Sequence, residues 1–242
     1  MPRNRLFADI KTWASHRPYA QAKVLSRESI RAFLSDLSPS LAGAKRVLIV
    51  GAGGQLEDAV RRILPPDVTV VTIDVDEARV PDIVMSVENL PTAGMEKFDA
   101  VFALEVLEHV QNLDGAVAGM KSILARGGHL ILSVPWIAPL HDLPHDYRRL
   151  TPQALIRVLE GLDIEVLEGH GTAIQSIRYL ALRGVYSRSR ADRIVAFGLG
   201  MAPRPRAARR FVLAQSQGST DAETCQTWPK SVIGWRLAAR SL

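Results

Sequence analysis

The sequence predicts an α/β protein built on a doubly wound, mostly parallel sheet of about seven strands, and three observations support that fold class. Short apolar runs rich in β-branched residues recur along the chain, as in strands buried on both faces of a parallel sheet. Segments with helical spacing of apolar residues alternate with these runs, which favours the doubly wound arrangement. The first run, residues 46–50, ends in a glycine cluster, as a buried strand that leads into a tight turn does.

The predicted elements follow in a regular order. Helical patterns fill the first 43 residues, and the longer one runs from Ala20 to Leu37, where Ser38-Pro39-Ser40 ends it. Six strands are predicted next, at residues 46–50, 68–76, 82–87, 98–105, 129–135 and 163–169. The helices between them are predicted at residues 56–64, 113–124 and 151–160. Gly127 and Gly128 close the second of these helices, and Thr151-Pro152 begins the third as its cap and first residue.

The last third of the chain is less regular. Residues 172–227 form apolar, arginine-studded segments that we predict to be a helical insertion, and residues 231–240 alternate like an exposed or edge strand. We therefore predict one domain, residues 1–242. Its parts are an N-terminal helical cap (1–43), a core that binds its ligand at the carboxyl ends of the strands (44–171), the helical insertion (172–227) and a final strand (228–242).

Composition excludes several classes of protein. A chain of 242 residues that is 47% hydrophobic has enough apolar residues for a sizeable core, so disorder is not expected. The single Cys225 excludes a disulfide framework and a cysteine metal cluster, and no spacing of histidines or acids suggests a metal site. No N-terminal signal and no uncharged apolar run of roughly 20 residues is apparent. These features predict a cytoplasmic protein.

The net charge of +5 is concentrated at the C-terminal end of the chain. From Ser176 onward there are twelve Lys or Arg residues against three Asp or Glu residues. Such a surface suits peripheral contact with an anionic membrane, a phosphorylated substrate or nucleic acid. A solvated arginine-rich helical face explains it more simply, and no nucleic-acid partner is expected because no recognition module is present. The insertion also suits packing against a second subunit in a homodimer.

The glycine turn and an acidic residue together indicate a nucleoside cofactor. The sequence VGAGGQ, Val50 to Gln55, allows a tight turn and close approach of a ligand to the backbone. Asp74 ends the second strand, where a carboxylate accepts both hydroxyls of a ribose. A dinucleotide fingerprint would require glycine at Leu56, so NAD and FAD are disfavoured. A plain strand-to-helix turn remains the alternative for the glycines alone.

Five successive motifs resemble those of a known family. VLIVGAGG, VVTIDVD, MSVENLP, FDAVFALEVLEHV and GGHLILSVP are similar to the signatures of class I S-adenosylmethionine-dependent methyltransferases, especially the type 11 group. The likeness runs from about Arg46 to Val134, and EVLEHV is its most specific part. The stretch HDLPHDYRRLTP, residues 141–152, resembles a segment of bacterial members associated with glycan or secondary-metabolite pathways. The resemblance implies a Rossmann-like fold, S-adenosylmethionine as the cofactor and methyl transfer to an acceptor.

The resemblance also implies a set of cofactor-binding residues. It places Gly51 and Gly53 beside the methionine part of the cofactor, and Asp74 on the ribose hydroxyls. The residues around Val87 fall at the adenine edge, and those at the end of the fourth strand fall under the sulfonium. The complete predicted set is Gly51, Ala52, Gly53, Asp74, Val75, Ser86, Val87, Glu88, Leu104 and Glu105.

The stretch from His141 to Arg149 supplies the predicted catalytic residues, because it follows the fifth strand on the side where the methyl group would project. The candidates for general base and acceptor positioning are His141, His145, Asp146 and Tyr147, and Arg148 and Arg149 are candidates for binding an anionic substrate group. An architectural role is open for each of them, since prolines shape this loop and Asp146 suits a turn. His109 is interpreted as a structural or cofactor-shell residue.

Two functions remain open at this point. The leading prediction is O-methylation of a small molecule, sugar or glycan by in-line transfer, with a His/Asp general base. The alternative is a catalytically silent binding or assembly protein with the same fold, which three departures from the family pattern favour: Ile49, Gln55 and Ser86. Trp13, Arg17 and Tyr19 suit a lid over the acceptor or ordinary helix packing.

Overall fold

The structure, a computed structural model, describes residues 21–22, 24, 26–184, 187–201, 210–215 and 233–242. The predicted lid residues Trp13, Arg17 and Tyr19 lie outside these residues. Within the described part of the chain, no helix has the length and apolar character needed to cross a membrane.

The described residues form one eight-stranded sheet with the order β3-β2-β1-β4-β5-β8-β6-β7. Its strands are β1 (Arg46–Val50), β2 (Thr69–Asp74), β3 (Ile83–Val84), β4 (Phe98–Leu104), β5 (Leu124–Pro135), β6 (Leu162–His170), β7 (Arg210–Gln215) and β8 (Gly234–Ser241). β1 to β5 pair in parallel, and β8 is antiparallel to both β5 and β6. The predicted fold class is confirmed. The strand that the prediction lacked is β7, which lies within the segment predicted as a helical insertion and pairs with β6.

Helices cover both faces of the sheet. They are α1 (residues 26–37), α2 (Gly54–Arg61), α3 (Leu113–Ser122), α4 (Pro152–Val158), α5 (Ala173–Arg183) and α6 (Arg190–Met201). The predicted start of α4 is confirmed, because Thr151 Oγ1 accepts a hydrogen bond from the Ala154 amide and Pro152 is the first helical residue. The predicted end of α3 at Gly127 and Gly128 is wrong, because Leu124 already pairs with Phe98 and begins β5.

The alternation of side chains along β1 divides the core into two layers. Leu48 and Val50 belong to one buried cluster, while Val47 and Ile49 belong to the other. The second cluster includes Ile30 and its neighbours of α1, so the N-terminal helix packs onto the sheet. Both faces of the sheet are therefore buried by apolar side chains, which explains why the sequences of the parallel strands are continuous apolar runs.

The prediction of an exposed or edge strand at residues 231–240 is wrong, because β8 lies inside the sheet between β5 and β6. Its alternation comes from a fully buried arginine, not from solvent exposure. Arg236 is 0% exposed and its Nη1 lies 3.4 Å from Glu168 Oε1 of β6. It also donates to the Ser29 hydroxyl of α1. A buried, paired charge thus gives the same sequence pattern as a solvated one.

Candidate active site

The carboxyl ends of β1, β2, β4 and β5 meet at one edge of the sheet, which is where parallel α/β sheets bind ligands. Gly51 begins the turn after β1 with a φ of +88°, and its amide donates to the Ile73 carbonyl at 2.9 Å. A Cβ on Gly51 would lie 2.9 Å from Val106 Cγ2. Only glycine satisfies both the left-handed backbone and this close approach.

Asp74 connects the ends of β1 and β2. Its Oδ2 accepts a hydrogen bond of 2.9 Å from the Ala52 amide, and its Oδ1 accepts one of 2.9 Å from the Asp76 amide. The guanidinium of Arg79 lies 3.9 Å from Oδ2, and the Asp74 side chain is 11% exposed. Each carboxylate oxygen offers two lone pairs, so one on each oxygen remains for a further donor. The backbone thereby fixes Asp74 in an orientation suited to two adjacent hydroxyl groups.

Glu57 is a member of the glycine turn that the sequence analysis missed. Its Oε2 accepts a hydrogen bond of 2.6 Å from the Gly53 amide, and its Oε1 accepts one of 2.7 Å from Arg61 Nε. The carboxylate occupies the N-terminal end of α2, where a dinucleotide-binding protein would place a pyrophosphate. The carboxylate uses the Gly53 amide, which a phosphate would need as a donor, and so disfavours a phosphate at this turn. The signal in the sequence was an acid in the first turn of the helix.

The predicted adenine-edge residues lie in a 3-10 turn, Val87–Thr92, beside α3. Ser86 Oγ accepts from the Glu88 amide at 3.2 Å, so the serine caps the turn. Glu88 Oε1 accepts from the amides of Gln111 and Asn112, each at 2.9 Å, immediately before α3. Val87 is buried, whereas Val75 at the end of β2 is 70% exposed. Glu88 thus serves to join the turn to α3.

Leu104 and Glu105 mark the end of β4 and its connection to β5. Leu104 is buried in the core layer that contacts α1. Glu105 has a φ of +57°, an uncommon conformation for a residue with a side chain. Its amide donates to the Ser133 carbonyl, and the Ser133 hydroxyl donates to Glu105 Oε1, both at 2.9 Å. These bonds hold the Glu105 carboxylate at the carboxyl edge of the sheet.

Asp146 is the anchor of the loop after β5. Its side chain is 0% exposed and accepts two hydrogen bonds from the Arg149 guanidinium, with Nη2 lying 2.8 Å from Oδ2. The His141 amide donates to Oδ2 at 3.0 Å, and His141 Nδ1 lies 3.3 Å from the same oxygen. The hydrogen bonds from Arg149 lower the pKa of Asp146 to about 2. At neutral pH it is therefore an ionised residue that orients His141.

Both arginines of the loop bind backbone carbonyl groups. The Arg148 guanidinium donates to the carbonyls of Leu107, Val110 and Gln111, and so ties the loop to the segment after β4. The Arg149 guanidinium donates to the carbonyls of Ala138 and Pro139 in addition to Asp146. These contacts engage both terminal nitrogens of each guanidinium, which an anionic substrate group would also require. The geometry favours the architectural alternative for both residues.

His145 and Tyr147 form an exposed pair beside this anchor. His145 Nδ1 and the Tyr147 hydroxyl are 2.9 Å apart, and Tyr147 is 42% exposed. The Tyr147 amide donates to the Glu108 carbonyl at 2.8 Å, which fixes the loop over the end of β4. Because Nδ1 is engaged by the phenol, Nε2 is the ring nitrogen of His145 that is left to face a ligand.

A second group of titratable side chains, Glu108, His109 and His141, lies next to this pair, because His109 Nδ1 contacts the His145 carbonyl oxygen. His109 and His141 meet edge to face with ring centroids 4.9 Å apart, and His109 Nε2 lies 3.7 Å from Glu108 Oε1. Glu108 is 1% exposed, and its carboxylate oxygens accept no hydrogen bond from any residue that the structure describes. Burial, together with the negative charges of Glu105 and Asp146, raises the pKa of Glu108 well above its ordinary value. Glu108 was not predicted from the sequence, because its partner His141 comes from another loop.

Comparison with known proteins identifies relatives of this architecture. Residues 19–188 match the family model described as "Methyltransferase domain". No curated protein matches the chain. Among solved structures, it is similar to N-methyltransferase NodS from Bradyrhizobium japonicum WM9, with 15% identity, a TM-score of 0.51 and coverage of 88% of this chain and 95% of that one.

Two further structures show the same fold. A SAM-dependent methyltransferase from Archaeoglobus fulgidus is 17% identical with a TM-score of 0.53, and the alignment covers 89% of this chain and 94% of that one. The [4+2]-cyclase SpnF is 20% identical with a TM-score of 0.51, and the alignment covers 86% of this chain and 80% of that one. At these identities the likeness concerns the fold, and the last structure bears the name of a different reaction.

Proposed function

The chain belongs to the methyltransferase domain family, and from this premise we propose that it methylates a hydroxyl group of a small molecule or glycan. The predicted family, enzyme class and cofactor, S-adenosylmethionine, are confirmed at the level of the family. The finer predictions concern the acceptor and the general base. The observation that carries them is the presence, at one edge of the sheet, of the Asp74 turn and the His145–Tyr147 pair.

The residues at the ends of β1 and β2 fit the cofactor. Asp74 keeps a lone pair on each oxygen, which suits the two ribose hydroxyls. When bound, S-adenosylmethionine supplies a methyl group on a positively charged sulfur.

His145 is the general base in this proposal. An imidazole suits the role because its ordinary titration range lies near neutral pH. In this role Nδ1 carries the ring proton and donates it to the Tyr147 oxygen, so the lone pair lies on Nε2, which takes the proton from the acceptor hydroxyl. Asp146 does not act as a base, since its pKa of about 2 leaves it a very weak proton acceptor at neutral pH. Its role, with Arg149, is to hold the loop in place.

Methyl transfer also depends on how the loop limits the acceptor's freedom. Arg148 and Tyr147 donate hydrogen bonds to backbone carbonyls after β4. These bonds fix the position of the His145–Tyr147 pair relative to the sheet. Such positioning brings two reactants to near-attack distance and lowers the entropic part of the barrier. The arginines thereby support the reaction through the loop and do not bind the substrate themselves.

The silent binding protein remains the second candidate. Two of its features have structural roles that do not need a cofactor: Ile49 is buried in the core, and Gln55 Oε1 accepts from Arg31 Nη2 at 3.3 Å. Ser86 caps its turn. A protein of this kind would bind S-adenosylmethionine weakly or would bind it without turnover.

Calorimetric titration of the folded full chain with S-adenosylhomocysteine tests the cofactor assignment. We expect saturable binding to one site. Transfer of a labelled methyl group from S-adenosylmethionine to a panel of hydroxylated small molecules and glycans then tests the acceptor class. No detectable binding by a folded sample would refute the proposal. Labelling of amine acceptors while the matching alcohols stay unlabelled would refute O-methylation alone.

A further inference from the structure

The side chains of Glu108, His109 and His141 converge at the carboxyl edge of the sheet. One ligand atom of each lies within 4.8 Å of the others. Glu108 and His109 belong to the short 3-10 turn Leu107–His109 after β4, and His141 belongs to the loop after β5. The cluster therefore forms only when the two neighbouring strands are paired.

The contacts that orient both imidazoles are made at Nδ1. His109 Nδ1 lies 2.7 Å from the His145 carbonyl oxygen, and since a carbonyl only accepts, Nδ1 carries the proton. His141 Nδ1 lies 3.2 Å from the Pro139 carbonyl oxygen and 3.3 Å from Asp146 Oδ2, which assigns its proton in the same way. In each neutral ring the lone pair is then on Nε2. Metal-binding histidines are oriented by the same kind of contact to a carbonyl or carboxylate.

Glu108 supplies an independent indication of a ligand. A carboxylate that is 1% exposed and receives no hydrogen bond from the described residues carries a large desolvation penalty. Its oxygens face His109, with 3.7 Å between Oε1 and Nε2. A cation at this place would remove that penalty.

We propose that Glu108, His109 and His141 bind one divalent first-row transition-metal ion such as Mn²⁺, Co²⁺ or Zn²⁺. Two imidazoles and one carboxylate are the ligands that such ions prefer, whereas Mg²⁺ and Ca²⁺ prefer oxygen ligands throughout. Metal–nitrogen bonds of about 2.1 Å place neighbouring ligand atoms roughly 3 to 4 Å apart. Small rotations of the three side chains therefore suffice to enclose an ion.

Three protein ligands leave coordination positions open, as in catalytic metal sites. The site is accessible, because the side chains of His109 and His141 are 24% and 26% exposed. Asp142, whose Oδ2 lies 3.9 Å from His109 Nε2, borders it and is 75% exposed. We assign the open position to the acceptor oxygen, and this role rests on the proposed methyl transfer.

The metal would make the acceptor hydroxyl more acidic. The proton of the acceptor hydroxyl passes to His145 Nε2, and a lone pair of the hydroxyl oxygen forms the bond to the methyl carbon. The carbon–sulfur bond breaks, its electron pair stays on sulfur, and S-adenosylhomocysteine leaves as a neutral thioether. The cluster and the exposed histidine thereby act on the same oxygen, one by withdrawing charge and the other by accepting the proton.

Cobalt titration tests the site directly. The untagged full chain is stripped with a chelator, dialysed and titrated with Co²⁺, while visible d–d absorption reports coordination by nitrogen and oxygen ligands. We expect one ion per chain, with the affinity reduced at least tenfold in Glu108→Gln and in His141→Gln. His129→Gln is the matched control, because His129 Nε2 lies 3.4 Å from Glu165 Oε2 at the opposite edge of the sheet. Its cobalt affinity should equal that of the unmodified chain.

The same samples are titrated with S-adenosylhomocysteine, and circular dichroism monitors their fold. If Glu108→Gln does not fold, His141→Gln decides the result. Absence of saturable cobalt binding, or binding that both variants retain in full, overturns the metal site. Cobalt binding lost in the variants, with no cofactor binding by any sample, supports the site and refutes the proposed function. Cofactor binding without cobalt binding refutes the metal site and supports the proposed function.

Discussion

The backbone amide of Ala52 donates a hydrogen bond of 2.9 Å to Asp74 Oδ2, so the glycine turn after β1 and the end of β2 are held together by one carboxylate. The same carboxylate is the predicted ribose ligand. Loop architecture and the proposed cofactor contact therefore depend on the same side chain, that of Asp74. A substitution there must be compared with one that removes similar backbone contacts elsewhere.

Asp74→Asn should weaken the binding of S-adenosylhomocysteine by at least tenfold, because the amide nitrogen replaces an acceptor with a donor. The matched control is Asp99→Asn, since Asp99 Oδ2 also accepts two backbone amides, those of Lys45 and Arg46, at the opposite edge of the sheet. Calorimetry should find its affinity unchanged. Equal affinity in the two variants would remove Asp74 from the cofactor site.

Gly51→Ala should lower the free energy of unfolding by about 2 kcal/mol or more, from the cost of a left-handed conformation with a side chain and a clash with Val106. Gly54→Ala separates the two effects, because Gly54 also has a positive φ of +78° but its Cβ would meet nothing within 4 Å. The Gly54→Ala variant should therefore lose only the cost of the left-handed conformation, about 1 kcal/mol of the free energy of unfolding. Urea unfolding measures both, and an equal loss would contradict the close contact at Gly51.

Asp146→Asn should destabilise the protein at neutral pH by about 2 kcal/mol, given a pKa lowered from 3.8 to about 2 in the folded state. A depressed carboxyl pKa stabilises the fold above pH 3.8, and this contribution is lost as the pH falls through the folded-state value. The difference between the two proteins in urea midpoint should therefore narrow as the pH falls from 4 toward 2. A difference independent of pH over that interval would show that the Arg149 pair is not its source.

His145→Ala should reduce the rate of methyl transfer by roughly a hundredfold, the usual contribution of a general base, while cofactor affinity stays the same. Tyr147→Phe keeps the ring but loses the hydroxyl that holds His145 Nδ1, so a smaller reduction is expected. Single-turnover rates with labelled S-adenosylmethionine distinguish the two variants. Full activity in His145→Ala would contradict the role of His145 as general base and would leave His145 and Tyr147 only an architectural role.

Arg236→Met should destabilise the fold by roughly 3 to 5 kcal/mol, because it removes the buried guanidinium that pairs with Glu168. Arg240→Met on the same strand is the control. Arg240 is exposed and donates only to the Gly127 carbonyl among the described contacts, so about 0.5 kcal/mol or less is expected. Chemical unfolding at neutral pH measures the difference, and similar midpoints would contradict the buried ion pair.

The sequence by itself determined the sheet of parallel strands, the glycine turn and the position of Asp74. These features are local: hydrophobic periodicity, a turn residue and a strand end each occupy only a few neighbouring positions. The start of α4 belongs with them, because a threonine cap followed by proline needs no distant partner. The family motifs that identify the cofactor are likewise contiguous in the chain.

Tertiary structure alone decided the place of β8 and the roles of the titratable residues. An alternating strand looks the same whether Arg236 is solvated or paired with Glu168, because the difference is made by another strand. In the crowded loop, contact with Arg149 fixes Asp146 as an anchor, and strand pairing brings His141 to Glu108. Which charges are neutralised and which remain available depends on neighbours that are distant in sequence, and only the fold brings them together.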